Sequence, residues 1–84
     1  MNHVSEAASL LSAIEGLLGG QLPAVDERRL IRLRVGVGQH ELADALGVSR
    51  FTLWRWETGK IEPSGPARRA YAGALRALRG ATDA

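Results

Sequence analysis

The chemistry available to this chain lies mostly in its cations. Eleven of its 84 residues are Lys or Arg, and ten of those are arginine. A guanidinium is permanently charged and presents its N–H donors in a planar fork, a shape that suits anionic partners. Placement says more than the formal total of +2. Residues 1–22 carry Glu6 and Glu15 and no base, a net charge of −2. Residues 23–80 carry every base against Asp26, Glu27, Glu41, Asp44, Glu57 and Glu62, a net charge of +5. Asp83 completes the balance. A near-neutral leading segment joined to a basic body implies a polyanion as the partner of the body alone.

Other chemistries find little material. With no cysteine there is neither a disulfide staple nor a thiolate-held zinc. His3 and His40 are far apart, with nothing metal-binding between them. No nucleophile has a base beside it in a recognisable motif. His40 adjoins Glu41, but neighbouring helical residues diverge by about 100° and do not face each other. No catalytic residue, metal site or cofactor is expected. The apolar runs are too short for a membrane span, and the N-terminus lacks the features of a signal peptide. A cytoplasmic protein without a membrane partner is the expectation.

These charges must be positioned by helices. Val4, Ala7, Ala8, Leu11, Ile14 and Leu18, with Leu10 and Leu17 beside them, recur at three and four residues and predict an amphipathic helix over 4–18. Gly19-Gly20 stops it. Pro23 suits the first turn of a second helix, from about Ala24 to Val35, with Val25, Leu30, Ile31 and Val35 left for burial. Arg28, Arg29 and Arg34 then form a solvated face. A third helix spans Gln39 to Leu46, and a fourth runs from Arg50 to about Thr58 after a Ser49 cap. The last begins at Ser64 and Pro66 and carries Ala67, Ala70, Tyr71, Ala74, Leu75 and Leu78 to about Arg79-Gly80. Arg68, Arg69, Arg76 and Arg79 fall among its solvated charges. Period-two alternation fails throughout, so the chain is all-α, with five helices. Three parts follow: an N-terminal amphipathic helix and linker over 1–22, a helical body over 23–80, and a frayed tail over 81–84.

The strongest pattern is QHELADALGVSRFTLWRWET over residues 39–58. Ala43 is small where the third and fourth helices cross. Gly47 supplies the left-handed turn between them. Leu42, Val48, Leu53 and Trp56 can fill the space between the two helices, with Trp54 as a further core residue, a brace for the following loop or, less favoured, a contact to the polyanion. That is the recipe for a helix-turn-helix, whose second helix enters the major groove.

Here the chain resembles the phage-repressor and Cro-type (XRE-like) helix-turn-helix family over residues 24–78. The resemblance is carried by Gln39, Glu41-Leu42-Ala43, Leu46-Gly47-Val48-Ser49, Trp56-Glu57, Gly59-Lys60 and Pro63-Ser64. It implies a compact five-helix, lambda-repressor-like DNA-binding fold, here with an additional N-terminal amphipathic helix. Arg32 and Glu57 correspond to the family's buried ion pair; Ala43, Gly47 and Trp56 to its structural positions. Arg50, Phe51 and Arg55 correspond to base-contacting positions, since arginine pairs with a guanine edge and an aromatic ring can meet a thymine methyl. Gln39, Thr52 and Lys60 would contact the DNA backbone. The function implied is a sequence-specific transcriptional regulator, a dimeric repressor on a duplex operator. The alternative is a protein-interaction module, such as an antitoxin or adaptor with weak DNA binding, whose protein partner could be a toxin.

Two departures stand out. Gly36-Val37-Gly38 lacks the hydroxyl that commonly caps the helix at Gln39. One longer final helix replaces the usual two short ones, where the family's dimer surface lies. The N-terminal helix is thereby a candidate to cover the core or to pair with its twin.

Overall fold

A computed structural model of the chain describes Leu10, Ile14 and residues 19–83. Of the helix expected over 4–18, only Leu10 and Ile14 are among the described residues, both helical; the rest of it lies outside them. Among the described residues there are four helices and no strand: α1 (Val25–Val35), α2 (Gln39–Leu46), α3 (Arg50–Glu57) and α4 (Gly65–Asp83). The all-α expectation holds: the four are the helices expected after residue 22, so the body has four helices where the resemblance implies five. Helix α1 packs on α4 and α3, and α2 packs on α3 and α4.

Helix α1 buries a different face from the one its apolar residues suggest. Arg28, Ile31 and Arg32 are its buried residues, while Val25, Leu30 and Val35 are exposed. The spacing of three and four places Arg28 and Arg32 on one stripe with Ile31. Burying a guanidinium is tolerable only when its charge and donors find partners. Both do, in acids and carbonyls contributed by distant segments.

The α2–α3 unit forms as its turn residues require. Gly47 adopts φ +71°, and its N–H donates to the Asp44 carbonyl at 3.1 Å; the Val48 N–H donates to the Ala43 carbonyl at 3.0 Å. A β-carbon on Gly47 would meet nothing within 4 Å, so only the backbone conformation opposes a side chain there. Gly47→Ala is therefore expected to cost about 1–2 kcal/mol, read as a lower denaturant midpoint at unchanged slope. An unchanged midpoint would contradict the left-handed turn.

Ser49 caps α3 as expected, accepting the Thr52 N–H at 3.0 Å. The start of α2 has no hydroxyl, and Glu41 fills part of that role by accepting the Gly38 N–H at 3.1 Å. This is the half of a capping box that needs no side chain on the cap residue.

Ile31, Leu42, Ala43, Leu53, Trp56, Tyr71 and Leu75 form one core, with Leu22, Val37, Leu46, Val48, Ala74 and Leu78 packed against it. Ala43 is fully buried, consistent with a close crossing of α2 and α3. Ala67 of α4 is exposed, as is Ala70. This helix also runs to Asp83, about a turn beyond the expected end. Arg69, Arg76 and Arg79 are exposed, as expected, and Arg68 is half-buried, but three of the four are tied to other segments. The Arg68 Nε donates to the Gly20 carbonyl at 2.6 Å and an Arg76 N–H to the Gly19 carbonyl at 3.0 Å, while Arg79 pairs with Glu27 at 3.0 Å. The chain thus enters the domain pinned to α4.

Tyr71 lies against Trp56, ring centroids 5.1 Å apart, and is fully buried. Burial pushes the pKa of its hydroxyl well above the usual phenol range. That hydroxyl has no hydrogen-bond partner among the described residues. Tyr71→Phe keeps the ring contact and removes the polar atom, so thermal unfolding should show a gain of about 1 kcal/mol. A loss of that size would show that the hydroxyl is satisfied.

Candidate nucleic-acid interface

Helix α3 has two distinct sides. Leu53, Trp56 and Glu57 are buried against the body. Arg50, Phe51, Trp54 and Thr58 are exposed, and Arg55 is half-buried. The inner side fixes the helix, leaving the outer side for a partner.

The fixing is ionic as well as apolar. The Arg32 Nε donates to one Glu57 carboxylate oxygen at 2.6 Å and its NH2 to the other at 3.0 Å. Its NH1 donates to the Val37 carbonyl at 3.0 Å. The Gln39 amide adds a donor to Glu57 at 3.1 Å. Helix α1, the loop before α2, the first residue of α2 and the end of α3 are thereby joined around one ion pair. The bond to Glu57 holds Arg32 above its ordinary basicity, although burial opposes it. The expected pairing of Arg32 with Glu57 is present, and Gln39 belongs to the same network.

A second buried arginine is not apparent from the sequence. Arg28 NH1 donates to the Trp56 carbonyl at 3.0 Å and to Glu62 at 2.7 Å; NH2 reaches the other Glu62 oxygen at 3.1 Å. Its Nε donates to the Pro23 carbonyl at 2.9 Å. Arg28 therefore ties the C-terminal end of α3 to the loop that follows. The same bond holds the Glu62 carboxyl below its ordinary pKa. Sharing one stripe with Arg32 was the signal for Arg28; nothing local pointed to Glu62.

The expected contact residues lie in and around α3. Arg50 is exposed at its first turn, and the Arg55 guanidinium carbon sits 5.4 Å from the centre of the Phe51 ring. Thr52 is half-buried, its hydroxyl accepting from Ser49 at 3.0 Å, and Lys60 is exposed beyond the helix. Trp54 is not a core residue. It is 41% exposed and stacks on Phe51, itself 62% exposed, with centroids 5.7 Å apart and planes 18° from parallel. Leu53 and Trp56 take the inward positions, and Trp54 cannot share their side of the helix. A cavity of about 370 Å³ lies beside it, lined by Arg29, Arg32, Gln39, Trp54, Glu57 and Thr58.

Two short helices crossing at a fully buried alanine, joined by a left-handed glycine and carrying Arg50, Phe51, Trp54 and Arg55 on the outer side, define a DNA-binding helix-turn-helix module. The chain belongs to the helix-turn-helix domain family, whose model matches residues 18–84. This agrees with the phage-repressor and Cro-type resemblance. Domains of the family are DNA-binding regulatory modules, not catalytic ones. No curated protein and no solved structure gives a significant match. Among the described residues, no helix is long and apolar enough to cross a membrane.

Proposed function

We propose that this protein is a sequence-specific repressor of transcription that binds a duplex operator as a dimer and acts in the cytoplasm. The observation that carries this reading is the two-sided α3: its inner residues are locked by the core and by Glu57, while Arg50, Phe51 and Arg55 stand outward. In the major groove those three contact base edges, and each good arginine–guanine pair contributes about 1–3 kcal/mol of discrimination. Gln39, Thr52 and Lys60 contact the sugar-phosphate chain and set the register without reading sequence. Gln39 spends one amide N–H on Glu57, leaving a second donor on the same nitrogen for a phosphate.

The N-terminal amphipathic segment is the proposed dimer element. Two copies of α3 would then meet half-sites about 34–36 Å apart on one face of the duplex. Selection of bound sequences from a random duplex pool tests the whole reading. A palindromic motif with that spacing is expected. One unsymmetrical half-site would count against the dimer, and no enrichment would count against the function.

A further inference from the structure

The centre of the outward face of α3 is aromatic rather than charged. Phe51, Trp54, Arg55 and Thr58 follow the spacing of three, four and seven residues, opposite the buried Leu53 and Trp56. Arg50 is displaced from Phe51 by about 100° around the helix. The face is layered: the Arg55 guanidinium lies over the Phe51 ring, and Trp54 stacks against that same ring. Two large apolar rings exposed together on an eight-residue helix are a binding surface rather than scattered surface hydrophobes.

A duplex major groove offers such a surface only one apolar partner, the C5-methyl group of thymine. We propose that Phe51 and Trp54 together form a thymine-methyl reader, making Trp54 a specificity-determining residue of the DNA interface. The inference rests on the DNA-binding reading above and says which bases its operator must contain. The cation completes the partner's description. Arg55 is held against Phe51 by the ring's negative face. Its charge is 5.4 Å from the ring centre, against a rise of about 3.4 Å between base pairs. The thymine under Phe51 and the guanine read by Arg55 are therefore expected within about two base pairs of each other. Because the stack exists before DNA arrives, little side-chain freedom is lost when the site is engaged.

The test compares the selected duplex with copies in which single thymines are replaced by deoxyuridine. That exchange removes one methyl group and leaves every hydrogen-bonding edge intact. At the thymine nearest the selected guanine, wild-type affinity should fall about fourfold, the worth of one buried carbon. Trp54→Ala and Phe51→Ala proteins, confirmed folded by their thermal transitions, should bind more weakly and show a thymine-to-uracil ratio near one. A selected site lacking thymine within two base pairs of its guanine would overturn the proposal. So would a wild-type protein indifferent to deoxyuridine at every position. A Trp54→Ala protein keeping the wild-type ratio would remove Trp54 from the reader. Failure to select any site would overturn the DNA-binding reading itself, an outcome distinct from these.

Discussion

Glu57→Ala is expected to be the most damaging single substitution in the domain. It would leave Arg32 buried without either of its carboxylate bonds and Gln39 without its partner. Removing one member of a buried ion pair costs about 3–5 kcal/mol, because the remaining charge stays desolvated and unpaired. A domain of this size is held by only about 5–15 kcal/mol. The loss should appear in thermal unfolding as a fall of more than about 12 °C in the midpoint. Replacing both charges at once separates the two contributions. Arg32→Met with Glu57→Leu should recover most of the stability, since an apolar pair of similar volume is often neutral or better. Such a double variant would still loosen Gln39 and with it the first turn of α2. A fall of less than about 1 kcal/mol for Glu57→Ala would mean that the pair behaves like an exposed one.

Arg55→Ala should have the largest effect on recognition with little effect on folding. One bidentate guanine pair is worth about 1–3 kcal/mol, or roughly 5- to 150-fold in affinity for the selected site. Weak binding to unrelated duplexes should change far less, so the preference between sites flattens. Lysine is expected to be a poor substitute, having neither the planar fork nor the same stacking on Phe51. Lys60→Ala offers the contrast: without that cation beside a phosphate, all sequences bind about equally more weakly and the salt slope falls by about 1. Competition titrations with selected and scrambled duplexes distinguish the two patterns. Equal weakening on both duplexes for Arg55→Ala would move Arg55 to the backbone.

Much of this architecture was legible where a residue type answers a local backbone need. Gly47 was identifiable because only a left-handed turn joins two helices so closely, and Ser49 because it precedes a helix with unsatisfied N–H groups. Ala43 and Trp56 followed from the apolar pattern between those signals. The Arg32–Glu57 pair came from family resemblance, as its partners are 25 residues apart and no local rule connects them.

What stayed hidden was decided by tertiary partners. Arg28 looked solvated because its anchors, the Trp56 carbonyl and Glu62, lie 28 and 34 residues away. The apolar pattern then assigned burial in α1 to Val25, Leu30 and Val35, which are exposed. Arg68 and Arg76 likewise find the carbonyls of Gly20 and Gly19 across the fold. Trp54 and Trp56 are two positions apart, so both cannot face the core of one helix. Leu53, three residues before Trp56, decides which one does.

The DNA-binding role is tested most directly by measuring affinity for a selected duplex and a scrambled one across a range of salt concentrations. The expected result is a linear fall of log K with log salt for both, with the selected site bound at least about 10³-fold more tightly at physiological salt. Binding of every duplex weaker than about 10⁻⁴ M under those conditions would contradict it.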